Sequence, residues 1–411
     1  MQGLRPVDLL LQLVALFVVA RVLGELCERV KLPALLGEIS AGIVLGPLIL
    51  NLAAPADPIK LVADLGVFFI VYEAGMEMTF RGVRRTIRES GAAVAAGSFA
   101  LPFLLGYLVA LSFGYDARTS LFLGLALSLT ALPVSVRILT DLGWVNTDVG
   151  QTIITAGLLC DVAGLTVLAS LTDWAALTGG DLNATAIVLL KILLFFLTTF
   201  AIERLLALNG GWLSKRIVAA SERTLSRGAA FSMPLILVFG FALYAEFLGL
   251  HFVIGTFFGA VIVAEHMFPP REGERLRANI AAISHGFLAP IFFAYLGLVT
   301  VAFDPALFPL FLALLVAAVA GKVAGSYAGA RFSGFREWSA SLIAVGMNAR
   351  GAMELVIALV GLELGIITGP VFSILVVLGL VTTLMTPFAL RRLERIPQES
   401  ATRGKEAPPV S

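Results

Sequence analysis

Charge is scarce in this sequence. Of 411 residues, 14% are Asp, Glu, Lys or Arg and 59% are hydrophobic, whereas a soluble domain carries roughly 25% charged residues. That excludes a soluble globular enzyme. Basic and acidic residues nearly balance, 29 against 28, with no basic block interleaved with aromatics, so nucleic acid is excluded as a partner. The two cysteines, Cys27 and Cys160, fall on different hydrophobic segments. They cannot build a disulfide framework, and no metal-ligand cluster is visible. No G-x-G-x-x-G or Walker A sequence occurs, so no nucleotide-binding domain and no cofactor is expected. The first apolar run, from Val7, lacks a charged n-region followed by a small-residue cleavage site. It reads as a retained helix rather than a signal peptide.

What the sequence does contain is apolar stretches long enough for a hydrocarbon core of about 30 Å. Thirteen are expected to be helices: Val7 to Cys27, Pro33 to Leu52, Ile59 to Met78, Gly91 to Phe113, Thr119 to Leu139, Val149 to Leu171, Ala184 to Leu208, Ala229 to Leu248, Leu250 to Ala264, Ile280 to Val301, Ala306 to Ala328, Trp338 to Leu362 and Ile366 to Leu390. The fold class is therefore an all-α polytopic membrane protein whose first partner is the lipid bilayer. Residues 1–390 form the transmembrane unit. The polar, Pro-ended tail 391–411 is expected to be disordered.

Lys and Arg accumulate in cytoplasmic loops. Of the 29, 23 fall after odd-numbered stretches or in the tail, and three (Arg5, Lys60, Arg118) fall on the opposite side. This places the N-terminus outside and the C-terminus in the cytoplasm. The two halves also echo one another. Leu36-Gly37-Glu38-Ile39-Ser40-Ala41-Gly42 in helix 2 resembles Ile254-Gly255-Thr256-Phe257-Phe258-Gly259-Ala260 in helix 9. Phe68-Phe69 with Tyr72 and Gly75 in helix 3 resembles Phe292-Phe293 with Tyr295 and Gly297 in helix 10. A shift of seven helices reverses direction across the membrane. That describes two inverted-topology six-helix repeats, helices 1–6 and 8–13, a pattern of secondary transporters.

The three remaining cations, Lys191, Lys322 and Arg350, lie inside helices. A charge at the bilayer centre costs at least about 2.5–3.5 kcal/mol and marks a function by default. Asp161 stands at the middle of helix 6 with no other charge near it in that helix. As a hard oxygen donor it suits a cation, and with no cation bound it accepts a proton. Lys322 lies deep in helix 11, unless it snorkels to the cytoplasmic surface. Arg350 and Glu354 are spaced i, i+4 on helix 12 and neutralise one another if both face the same way. Glu73 and Glu38 lie near mid-depth; Glu203 and Glu246, near helix ends, read as solvated or surface-paired. Lys191, in the connector helix 7, is given no role. Helix 5 is interrupted near Ser128-Leu129-Thr130-Ala131-Leu132-Pro133 and helix 12 near Gly346-Met347-Asn348-Ala349-Arg350-Gly351. Breaks at matching positions in two halves point to a binding site, although a Pro kink and a Gly packing contact give the same letters.

Taken together, Ser128 to Leu139, Asp161 after Cys160, Gly321-Lys322, and NARGAMELVIA at Asn348 to Ala358 resemble the monovalent cation:proton antiporters, in the branch of Kef-type, NapA-type and plant cation/proton exchangers. The resemblance covers residues 7–390. It implies a dimer-forming domain of helices 1–3 and 7–10, hence a homodimer, and a core of helices 4–6 and 11–13 that moves like an elevator, with broken helices 5 and 12 crossing at the ion site. It implies that Asp161 binds cation and proton, that Thr130, beside Ser128, helps coordinate Na⁺ or K⁺, that Lys322, Arg350 and Glu354 are core charge partners, and that Glu73 is a glutamate near the site. Cys160 departs from the pattern. Electrogenic members carry Asp-Asp there, electroneutral ones Asn-Asp and Kef-type ones Gln-Asp, so Cys-Asp implies one-for-one exchange. The expected function is secondary exchange of Na⁺ or K⁺ for H⁺ in a bacterial inner membrane, not enzymatic catalysis. An organic-anion symporter of the same fold and a cation channel or membrane sensor are the other readings.

Overall fold

The computed structural model describes residues 6–30, 32–77, 91–130, 139, 144, 147–172, 186–187, 189–207, 227–267 and 270–394. Helix is the only regular structure among them. Six helices among the described residues are long and apolar enough to cross a membrane. The helices in chain order begin with α1 (Pro6–Arg29), α2 (Ala34–Leu45), α3 (Asp57–Met76), α4 (Gly91–Ser112), α5 (Ala117–Ser128) and α6 (Asp148–Thr172). After the connector α7 (189–207) come α8 (Arg227–Phe247) and α9 (Phe252–His266). Next is α10, made of Pro270–Ile283, a π-helical turn Ser284–Leu288, and Ala289–Val299. The last are α11 (Phe308–Phe332), the half-helices α12a (Glu337–Gly346) and α12b (Ala352–Glu363), and α13 (Gly369–Glu394). Pro133, Ala131 and Leu132, expected at the helix 5 break, lie outside the described residues, as does the tail beyond Glu394.

Two boundaries differ from the expectation for clear reasons. Helix 2 was expected to reach Leu52 but stops at Leu45. Gly46 takes an extended backbone ahead of Pro47, as a pre-proline residue tends to. The chain then folds back, with Leu52 and Ala53 both donating to Leu45 O, so apolar letters past residue 45 cover a helix end. Helix 10 was expected from Ile280 but starts at Pro270. Arg275 and Arg277 thus sit on a polar helical extension rather than in a loop. A hydropathy window sees only the apolar part of such a helix.

In lipid, helices gain little from the hydrophobic effect and associate through close backbone approach at small residues. The helices sort into two packed groups. In one, α1 lies on α2, α8 on α9, α9 on α3, and α10 on α2 and α3. Connector α7 joins this group through Phe195, whose ring stacks on Tyr244 of α8 (5.9 Å) and meets Phe258 of α9 edge-on. In the other, α4 lies between α11 and α5, and α6, α12a, α12b and α13 complete the packing. The groups touch where α3 meets α12b.

One close approach is between α4 and α11. A Cβ on Gly325 would stand 2.0 Å from Gly97 O, and one on Gly97 would stand 2.2 Å from Gly325 O. Both obstacles are backbone atoms, which cannot rotate aside. Gly325→Ala is therefore expected to force the helices apart and to destabilise the protein by at least about 1–3 kcal/mol, the usual cost of overpacking, read as a lower unfolding temperature in detergent. The first turn of α5 is held by Asp116, which accepts from the backbone N–H groups of Arg118 and Thr119 and from the Thr119 hydroxyl. Those donors hold its carboxyl below the usual carboxylate range. Its stabilising contribution is present above that range and is lost as pH falls through the lowered value. Asp116→Ala should cost about 1 kcal/mol as a lost N-cap.

Candidate functional site

α5 stops in the interior of the second group. Ser128 is its last helical residue, Leu129 is extended (φ −71°, ψ 159°), and the last carbonyls of the helix lack intrahelical donors. α12a stops at Gly346 on the other side, a five-residue connection follows, and α12b starts at Ala352. The helix 12 interruption read from the sequence is therefore a backbone break in a buried position, and the described part of helix 5 ends where its interruption is expected.

Two cations fill the gap. Arg350, with no exposed surface, donates from Nη1 to Ala126 O (3.2 Å) and from Nη2 to Leu127 O (2.6 Å). Lys322, equally buried, donates from Nζ to Ser128 O. Three successive carbonyls at the negative end of α5 are thus capped by charges from α11 and the α12 break, where the helix dipole favours them. Arg350 Nη1 also pairs with Glu354 Oε1 at 3.1 Å, so the i, i+4 neutralisation holds while the guanidinium does a second job. The Arg350 carbonyl in turn accepts from the Thr383 hydroxyl of α13. Burial of Lys322 rules out snorkelling to the surface.

Asp161 lies on α6, 2% exposed. The charges of Lys322 and Glu77 act on it. Cys160 beside it is buried, donates to Ala95 O (3.7 Å) and neighbours the hydroxyls of Ser98 and Thr130. Several buried oxygens lack a hydrogen-bond partner: Asp161 Oδ1, Thr130 Oγ1, Asn348 Oδ1 and Glu354 Oε2. An unsatisfied buried polar atom costs about 1–3 kcal/mol. These oxygens belong to α6, to the chain just after α5, to the connection between α12a and α12b, and to α12b, and oxygen is the hard donor type that suits Na⁺ or K⁺. Ser128 Oγ is occupied, donating to Gly124 O at 2.7 Å.

Glu73 takes its partner elsewhere. Its carboxylate lies 3.1 Å from His285 Nε2, in the π-helical turn of α10, and Glu77 pairs with Arg277 on the helical extension. Glu38 is buried within electrostatic reach of Arg21 and His285. Glu77 was not singled out from the sequence, and Asn348 entered only as part of the helix 12 break and the family motif, with no role of its own. Glu77 sits at the apolar run's edge, where a carboxylate reads as solvated. Asn348 is neutral, so a search for intramembrane charge passes over it.

Comparison with known proteins agrees with this architecture. The family model described as "Sodium/hydrogen exchanger, transmembrane" matches residues 13–394. The chain is 29% identical over 386 residues to the Na(+)/H(+)-K(+) antiporter GerN of Bacillus cereus, covering 92% of this chain and 95% of that one. It is 30% identical to Cation/H(+) antiporter 20 of Arabidopsis thaliana over 94% of this chain and 49% of that protein. The solved structure of the sodium proton antiporter MjNhaP1 from Methanocaldococcus jannaschii shares the fold, with a TM-score of 0.63 at 16% identity over 95% of this chain and 99% of that one. With the family model spanning nearly all of its helices, the chain belongs to the sodium/hydrogen exchanger family of integral membrane proteins.

Proposed function

We propose that this protein exchanges Na⁺ or K⁺ for H⁺ one for one, with Asp161 holding cation and proton in turn. The observation that carries this reading is the unpartnered buried oxygens of Asp161, Thr130 and Asn348, on elements whose neighbouring cations are already committed to the end of α5. A Na⁺ or K⁺ ion held by ionised Asp161, with Thr130 and Asn348 as added oxygen donors, satisfies those acceptors. Protonating Asp161 removes the charge that holds the ion and supplies an O–H donor in its place, so one carboxylate couples the two fluxes. The second buried carboxylate, Glu354, is tied to Arg350, and Cys160 stands where a further acid would be needed to carry a second proton. The buried cations point away from an organic-anion substrate, because Arg350 and Lys322 spend their donors on carbonyls and Glu354.

The two helix groups supply the moving parts in this reading: α4–α6 and α11–α13 shift as a core against α1–α3 and α7–α10, which also form the homodimer contact. Lys60 of α3 bonds Glu363 at the end of α12b at 3.0 Å, an ion pair that bridges the groups and opens when the core moves. Matched contacts support the inverted repeat. Gly37 packs on Leu23 O of α1 and Gly255 on Phe241 O of α8; Gly297 meets Ile39 O and Gly42, while Gly75 meets Phe257 O and Ala260. Each contact in one half has its counterpart in the other at the echoing residues.

The test is cation-driven proton movement in proteoliposomes carrying an internal pH dye. Adding Na⁺ or K⁺ outside should alkalinise the lumen, as each entering cation is balanced by a departing proton, saturably and ion by ion. A membrane potential imposed without a pH or cation gradient should drive no net exchange. Flux that does not move protons would make the protein a channel, and flux driven by potential alone would overturn the one-for-one ratio.

A further inference from the structure

A second convergence of titratable side chains lies in the other helix group. Glu203, near the end of α7, reads from the sequence as solvated, yet it is buried, with 6% of its surface exposed. Position alone misleads there, because α7 turns this face toward α9. His266 is the last residue of α9 and is buried as well, and Glu265 beside it is half-buried. One ligand atom from each of the three lies within 4.8 Å of the others. Glu203 Oε1 stands 3.9 Å from His266 Nε2, too long for a hydrogen bond. It is close to the ~3.4 Å between ligand atoms across a tetrahedral ion with bonds of ~2.1 Å. Glu203 Oε2 is buried without a hydrogen-bond donor. The Arg204 guanidinium reaches it only at 3.9 Å, and leans over the Phe200 ring instead.

We propose that Glu203, Glu265 and His266 bind a divalent transition-metal ion, with Zn²⁺ as the reference case, and so tie the end of α7 to the end of α9. Two carboxylates and an imidazole bring ligand atoms to one point, and a divalent cation held there supplies buried Glu203 with the partner that its Oε2 lacks. Calcium and magnesium take about six or more oxygen ligands. Two carboxylates with one imidazole suit a borderline metal with three protein ligands and an open position for water. The alternative for the same atoms is a protonated His266 paired with Glu203. The site belongs to the other helix group from Asp161, and the inference stands independently of the exchange reading.

The experiment is Zn²⁺ titration of the tag-free, full-length protein in detergent by calorimetry, alongside thermal unfolding with Zn²⁺ or Mg²⁺. One Zn²⁺ per chain is expected, with an unfolding temperature that rises with Zn²⁺ and not with Mg²⁺. E203Q and H266Q should each weaken binding by at least roughly 10–100-fold, since loss even of an outer partner of a metal ligand costs that much. The chain has three histidines, so H251Q and H285Q serve as controls that should bind as the wild type does. Failure of the wild type to bind, or equal binding by E203Q and H266Q, would overturn the site in favour of the His–Glu ion pair. Should those variants not fold, Co²⁺ added to the wild type decides the matter. Visible absorption of low-coordinate Co²⁺ that Zn²⁺ displaces supports the site, and its absence refutes it.

Discussion

Replacing Asp161 by Asn is expected to reduce cation-driven proton flux in proteoliposomes to the level of protein-free vesicles. The two side chains have the same shape and the site is buried, so the fold should survive while the charge does not. Two consequences follow from the loss of one proton-titrating oxygen. The cation loses its only formal counter-charge: even about 3 kcal/mol, the low end for breaking a buried charge pair, corresponds to a roughly 100-fold weaker site. An amide also cannot take up a proton in the working range, so release of the cation has nothing to couple to. The decisive readings are flux and oligomeric dispersity on the same preparation. A monodisperse D161N protein that still exchanges Na⁺ or K⁺ for H⁺ at the wild-type rate would sink the assignment of Asp161 as the shared site.

The largest structural effect is expected at Arg350. Its guanidinium serves Ala126 O, Leu127 O and Glu354 together from a position with no exposed surface. Arg350→Met removes the charge, leaves Glu354 buried and unpaired, and strips two helix-end carbonyls of donors. Breaking one partner of a buried pair costs about 3–5 kcal/mol. An unfolding temperature lowered by roughly 5–10 °C in detergent is the expected outcome. The double variant R350M/E354Q should recover part of that loss, because the stranded charge is gone, but not all of it, because the α5 carbonyls stay unsatisfied. Full recovery would mean that the ion pair, and not the capping of α5, is what Arg350 provides. Lys322→Met affects a single carbonyl, that of Ser128, and should destabilise less.

Much of this was legible along the chain because the membrane penalises local errors. A charge in a helix interior stands out whatever its neighbours are, so Asp161, Lys322, Arg350 and Glu354 could be picked one at a time. Pro133 after Ser128 and the glycines of Gly346 to Gly351 marked interruptions in the sequence, because a helix break depends on adjacent residues. Helix ends were less legible. At Leu45 the backbone turned before the apolar letters did, and at Pro270 the helix began before they started, because hydropathy reports the solvent a residue prefers rather than its backbone geometry.

By itself the sequence determined an all-helical membrane chain, the family motifs, and which few ionisable groups lie in the apolar interior, since transfer into lipid is a cost set residue by residue. Only the tertiary structure decided their partners. It capped Ala126, Leu127 and Ser128 with cations that lie 194 to 224 positions away, sent Glu73 to His285, and gathered Glu203 with Glu265 and His266. Pairings of this kind depend on which helix faces meet when remote glycines let two backbones touch. Hydrogen bonds and ion pairs act over a few ångströms, and separation along the chain carries almost no information about that distance.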